Sequence, residues 1–326
     1  MSADDPSTRP AILAALDLGT NNCRLLVAKA GPTNGFRIVE SFSRITRLGE
    51  GLEASGHLSE AAMARTLAAL AECAAILARR PARHRRLIAT AACRRAANAD
   101  LFLARVKDAT GLELEIISAA EEARLAMLGC VPLLDRKRRH ALVFDIGGGS
   151  TEAIWLERRN GGPPRLIDYL SLPMGVVTLT EAGAAKRDGL LAEARARFGA
   201  FDSRLGIGAR FAKGQAQALG TSGTVTTLGA IHLGLDRYER RRVDGLRLTG
   251  EELDDACRRL KAMSPEERAA NPCIGPERAD LVMAGIGLLE AMRAVWTLPG
   301  LRVADRGLRE GLLHGLADQA RRARAA

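Results

Sequence analysis

At 326 residues the chain exceeds what one ordinary hydrophobic core sustains, so two domains are expected. Apolar residues at 47% and charged residues at 26% exclude a disordered or low-complexity chain, and no apolar run reaches the roughly 18 residues of a membrane helix. A net charge of +10 suits polyanionic partners, but 3% aromatic residues offer no stacking platform, so neither a membrane nor a specific nucleic acid is expected as partner.

In chain order, residues 1–10 are polar and acidic and read as a frayed tail rather than a signal peptide. Ala11–Ala28 reads as strand, polar turn and strand, with Asp17 ending the first strand and Gly19-Thr20-Asn21-Asn22 forming the turn. A third strand is predicted over Phe36–Ile45, then a long helix over Ser59–Arg80 capped by Ser59. Arg86–Arg94 reads as a buried strand entering a loop, followed by a helix from near Asn98 to Gly111 and a strand over Leu112–Ile117. Ser118 and Glu121 have the spacing of a capping box, in which the Glu121 carboxylate returns to the N-cap amide. That leaves Glu122, one residue on, without a structural role.

The second half starts with a basic connector, Asp135–Arg139, and an apolar strand running into Asp145-Ile-Gly147-Gly148-Gly149-Ser150-Thr151-Glu152. Strands are predicted over Thr151–Leu156 and Leu166–Leu172, and a helical segment from Thr178 to Gly206. Gly220-Thr221-Ser222-Gly223-Thr224 is another glycine-hydroxyl turn between strand and helix. Helices over Thr249–Met263 and Pro276–Val295, a strand over Leu301–Ala304 and a last helix complete the chain. The longest apolar candidate, Ala279–Met292, is broken by Asp280 and Glu290 and reads as a buried helix. Strands alternating with helices define an α/β fold.

Six cysteines show no Cys-x-x-Cys pair and five histidines no zinc spacing, so a reduced, cytoplasmic setting is expected. The basic excess gathers in Arg79–Arg86, Arg136–Arg139, Arg240–Arg242 and Arg321–Arg324. Glycine turns after strands expose backbone N–H groups as anion-binding nests, and Asp145 and Glu152 are hard oxygen donors suited to a cation that accompanies phosphate. Two strand-ending Asp-x-Gly turns, one in each half, suit a clamp for phosphate and metal.

The segments at Asp17–Asn21, Ser118–Leu125, Asp145–Glu152, Gly220–Thr224 and Gly307–Gly311 together resemble the exopolyphosphatase / guanosine pentaphosphate phosphatase (Ppx/GppA) family, in order from about residue 11 to 315. The resemblance implies two ribonuclease-H-like lobes of the actin-like ATPase superfamily, with an active-site cleft between them, in the short two-domain form. Domain I would comprise residues 11–125 plus 305–326, and domain II residues 126–304. It implies Glu122 as the catalytic base, Asp145, Glu152 and Asp17 as metal-site carboxylates, and Mg²⁺ as cofactor with Mn²⁺ as the alternative. Phosphate would be held by Gly19, Thr20, Asn21, Asn22, Arg94, Gly147, Gly148, Gly149, Ser150, Gly220, Thr221, Ser222, Gly223 and Thr224. The implied substrate is inorganic polyphosphate or, alternatively, guanosine pentaphosphate, with inhibition by guanosine tetraphosphate and a homodimer as further expectations. A weakly active nucleotide-binding regulator and a superfamily kinase are the other classes; a glutamate placed for water argues against the kinase. The first turn departs from the family, which usually has Gly-Ser-Asn-Ser-Phe where this chain has Gly-Thr-Asn-Asn-Cys. Asn22 there adds bulk beside the expected phosphate contact.

Overall fold

A computed structural model describes residues 10–31, 35–159 and 162–325. Apart from Pro10, the expected tail lies outside the described residues. The chain divides into two compact units, one running to Gly129 and resuming at Leu308, the other Cys130–Gly307.

The first unit holds a five-stranded sheet of β1 (Ile12–Leu18), β2 (Asn22–Ala30), β3 (Phe36–Ile45), β4 (His84–Ala89) and β5 (Glu115–Ile116), in the order β3-β2-β1-β4-β5. The first three strands form an antiparallel meander, while β4 and β5 run parallel to β1. Successive residues of a strand face opposite sides, and in β1 both sides are apolar. Leu16 and Leu18 enter a core with the helices Glu60–Arg79 and Ala99–Thr110, whereas Leu13 and Ala15 enter one with the last helix, Leu308–Ala325.

The second unit repeats this plan. β6 (His140–Ile146), β7 (Thr151–Glu157) and β8 (Arg165–Leu172) form the meander, and β9 (Ala216–Thr221) and β11 (Gly300–Ala304) run parallel to β6. A short edge strand, β10 (Arg247–Thr249), is added antiparallel to β11. The repeated meander with two parallel strands is the ribonuclease-H-like order that the family resemblance implies.

Local chemistry accounts for several boundaries. Ser59 Oγ accepts from Ala62 N at 3.2 Å, and Gly111, at φ 69°, ends its helix in the left-handed region that glycine tolerates. Thr249 and Glu252 form a complete capping box at Gly250–Ala262. The helix Glu60–Arg79 is long and apolar enough to cross a membrane, which a search for uninterrupted apolar runs overlooks. Met63, Leu70, Cys73 and Leu77 form its buried stripe, and Glu72 pairs with Arg44 on its outer face.

Several expectations need correction. Arg94 stands on a short helix, Ala91–Arg95, after β4 has ended at Ala89. The alternating Leu112–Ile117 yields only two strand residues, Glu115 and Ile116, which pair with Ile88 and Ala89. The segment from Thr178 to Gly206 is two helices, Val176–Glu181 and Ala184–Leu205, separated at Gly183 with φ 71°. The helix predicted from Pro276 starts at Leu281, and a separate short helix occupies Pro265–Ala270. All six cysteines are buried free thiols, and the sulfurs of Cys23 and Cys73 lie 3.9 Å apart.

Candidate active site

In the first unit the candidate residues stand at the carboxyl ends of β1, β4 and β5, the end where open α/β sheets bind ligands. The turn after β1 closes through Gly19 N–H donating to Asn22 O at 2.9 Å. Its outward carbonyls are taken by the segment after β3. Thr46 N and Arg47 N donate to Asn21 O at 2.9 and 3.1 Å, and Gly49 N donates to Thr20 O at 2.9 Å. Thr20 Oγ1, Asn21 Oδ1 and Thr46 Oγ1 are buried here without a hydrogen-bond partner, which marks a polar cradle rather than an apolar core. Asp17 lies opposite Arg24 in the β1–β2 register. Burial pushes its carboxyl above the usual range, against the charges of Arg24 and Arg309, and the nearby Glu310 adds to the rise.

Glu122 lies in the first turn of the helix Ala119–Cys130. Arg94 NH1 donates to Glu122 Oε2 at 2.9 Å and to Ile117 O at 2.8 Å, so one guanidinium joins the β5 exit to the helix. Ser118 Oγ does accept from Glu121 N at 3.2 Å, but the returning arm of the capping box is replaced. The Glu121 carboxylate instead takes Arg86 NH1 at 2.8 Å and Arg124 Nε at 2.7 Å. The bonds from Arg124 and then Arg86 hold it down at about 2. Glu121 is thus a structural anion, by ion pairing rather than by capping.

The second unit carries the corresponding turn after β6. Gly147 N–H donates to Ser150 O at 2.9 Å, so it closes the turn and leaves phosphate binding to the amides beyond it. The carbonyls of Gly147 and Gly148 accept from Val176 N and Val177 N at 2.9 and 2.8 Å. This close approach requires glycine at 175, where a Cβ would lie 2.4 Å from Gly147 O and 2.5 Å from Gly148 O. Asp145 faces Glu152 across the β6–β7 ladder, and Glu152 faces Ser171 across β7–β8. Glu152 is only 3% exposed, and Ser171 Oγ donates to its Oε1 at 2.8 Å.

Opposite residues of an antiparallel pair have Cβ atoms about 5 Å apart on one face, so Asp145 and Glu152 present two carboxylates together. Mg²⁺ takes one or two carboxylates and fills its octahedron with waters and phosphate oxygens. The pair therefore fits Mg²⁺ by donor chemistry. Among the described residues no group of three or more His, Cys, Asp or Glu gathers as a protein-only metal cage.

The turn after β9 adjoins this pair, since Thr221 is the β9 partner of Asp145. Ser222 has φ 114°, a left-handed conformation that costs a non-glycine residue about 1–3 kcal/mol. Its Oγ is buried without a partner. Thr224 is buried against Gly285, where a Cβ would come within 2.1 Å of Thr224 Oγ1, so its hydroxyl faces the helix Leu281–Arg293.

These glycine turns, with a carboxylate at the end of each central strand, belong to a recognisable lineage. The profile of the Ppx/GppA phosphatase family matches residues 26–320. The chain belongs to that family. It is 32% identical over 319 residues to exopolyphosphatase 2 of Mycobacterium tuberculosis, covering 94% of this chain and 98% of that protein. The crystal structure of an exopolyphosphatase-like protein superposes with a TM-score of 0.83 at 28% identity, covering 97% of this chain and 99% of the other. The Ppx/GppA member from Aquifex aeolicus gives 0.72 at 29%, covering 95% and 98%. Membership makes the chain a phosphatase-family hydrolase.

Within the first unit, the structure gathers Asp17, Gly19–Asn22, Arg94 and Glu122 at one end of the sheet; within the second, it gathers Asp145, Gly147–Ser150, Glu152 and Gly220–Thr224. Sequence reasoning missed Arg24, Thr46, Gly175 and Ser171. Only Arg24 carried a local signal, as the residue that a tight hairpin sets opposite Asp17.

Proposed function

We propose that this phosphatase is an exopolyphosphatase that releases terminal orthophosphate from inorganic polyphosphate. Glu122 deprotonates and orients a water for in-line attack on the terminal phosphorus, and Arg94 neutralises phosphoryl charge beside it. Amides of Gly148 and Gly149, the Thr20–Asn22 turn and the Ser222–Thr224 turn hold phosphoryl oxygens. Asp145 and Glu152 hold Mg²⁺, with Asp17 as a further acid of the metal site. The bound metal supplies charge neutralisation of the phosphates.

The observation that carries this reading is the division of labour between two neighbouring glutamates. Glu121 is consumed by Arg86 and Arg124, whereas Glu122 stands with Arg94 at the strand ends. The name of the M. tuberculosis relative supports polyphosphate over guanosine pentaphosphate as substrate. The test is phosphate release, with and without Mg²⁺, from long polyphosphate, tripolyphosphate, guanosine pentaphosphate and ATP. The fastest Mg²⁺-dependent release is expected from long polyphosphate. Release faster from guanosine pentaphosphate would reassign the substrate, and unchanged rates after chelation would remove the metal.

A further inference from the structure

The segment joining β11 to the last helix is gripped by an ion-pair network that the reaction scheme above does not use. Asp244 lies just before β10, and its carboxylate collects the whole of the Asp305–Arg306 bend. Asp305 N donates to Asp244 Oδ1 at 3.0 Å, and Arg306 Nε donates to Oδ1 and Oδ2 at 3.2 and 3.0 Å. Arg306 NH2 completes a forked contact to Oδ2. Tyr238 OH donates to Asp305 Oδ2 at 2.7 Å, and Arg240 NH2 donates to Asp305 O at 2.5 Å. The short stretch from Tyr238 to Asp244 thus holds both residues of the bend.

The bend also reaches the turn after β9. Arg306 O accepts Thr221 Oγ1 at 2.9 Å, and Cys130 Sγ donates to the same oxygen at 3.6 Å. Thr221 is paired with Ala304 in the β9–β11 register and directly precedes Ser222, the strained residue of the glycine-hydroxyl turn. Gly307 follows the bend, and a Cβ there would come within 3.3 Å of Thr221 Oγ1, a tight contact that packs the bend against the hydroxyl. A strained turn persists when its surroundings over-determine it, and here they do so through a forked guanidinium–carboxylate pair.

We propose that Asp244, acting through the Arg306 carbonyl and the Thr221 hydroxyl, is a positioning residue that sets the Thr221–Ser222 turn for phosphate. The proposal rests on the reading that this turn holds phosphate. Asp244 itself touches no substrate. It fixes the bend, the bend fixes Thr221, and Thr221 fixes the direction of the next amides.

The test is a double-variant cycle on polyphosphate hydrolysis with Asp244→Ala and Thr221→Val, alongside thermal melting of each protein. Asp244→Ala is expected to lower kcat/KM at least tenfold, Asp244→Asn less, and the double variant no further than the worse single variant. A merely structural role predicts losses that multiply, or a lower melting temperature with kcat and KM unchanged; either overturns the proposal. If Asp244→Ala does not fold, Asp244→Asn replaces it in the same cycle. Arg293→Ala, which breaks a surface pair with Asp254, serves as the control and should leave kcat/KM unchanged. If Thr221→Val and Gly223→Val, the latter crowding the turn's amides, both hydrolyse at the wild-type rate, the turn holds no phosphate and the underlying reading fails. If they lose activity and Asp244→Ala does not, the brace alone fails.

Discussion

The turns after β1 and β6 are the same device with opposite charge at its base. Both close through a glycine amide and the carbonyl three residues on, at 2.9 Å, and both give their remaining carbonyls to backbone N–H groups from a later segment. The residue opposite the strand-ending aspartate differs. Asp17 meets Arg24, whereas Asp145 meets Glu152. One unit sets a basic residue opposite its carboxylate and the other sets a second acid there. Equivalent positions in a repeated fold can therefore carry different chemistry: an acid faces a base in the first unit, and two acids face each other in the second.

The largest effect should come from removing the doubled charge. Glu152→Gln is expected to lower polyphosphate hydrolysis by at least about 100-fold and to move the Mg²⁺ titration to higher concentration. Asp17→Asn should cost less, because Arg24 then loses a partner while the carboxylate pair is intact. Equal losses and equal Mg²⁺ shifts would erase the distinction between the two turns.

Next in size is the backbone approach beneath each turn. Gly175→Ala would push a Cβ onto the Gly147 and Gly148 carbonyls, and about 1–3 kcal/mol of destabilisation should appear as a lower melting temperature. Gly49→Ala would meet the Thr20 methyl at 2.2 Å, a side-chain end that can rotate at about 0.5–1.5 kcal/mol. A larger loss at Gly49 than at Gly175 would contradict this ranking.

The smallest effect lies at the opposite end of β6. His140 is buried, stacked on Trp155 at 5.4 Å, with Arg210 beside its Nε2. Burial, and then the Arg210 charge, lowers its pKa from the ordinary value of 6.5. The unfolded chain therefore takes up a proton that the folded one resists. Stability present above about pH 6.5 should be lost as pH falls through that value and toward the lower folded pKa. Melting curves between about pH 5 and 8 should show this slope in the wild type and a shallower one in His140→Phe, which keeps the stacking. Parallel slopes would exclude His140 as the source.

Much of the site was legible because strand ends, glycines and carboxylates announce themselves locally. Asp17, Asp145, both turns and the cap at Ser59 follow from short spacings. What escaped depends on distant partners. Glu121 fits a capping box until Arg86, 35 residues earlier, and Arg124 claim its carboxylate. Gly175 is an ordinary glycine until two carbonyls approach it, and Arg306 an ordinary arginine until Asp244, 62 residues away, is folded beside it. The basic clusters permit a polyanion without locating one, and within them Arg80 pairs with Glu40, Arg139 with Glu157 and Arg240 with Asp305. Composition counts charges and is blind to their neighbours.

The central assignment is tested most directly by the kcat for phosphate release from long polyphosphate in Glu122→Gln and Glu121→Gln, measured side by side. The account predicts a fall of about 10²–10⁴-fold for Glu122→Gln and near wild-type turnover for Glu121→Gln. Near wild-type turnover by Glu122→Gln, or a collapse confined to Glu121→Gln, would contradict it.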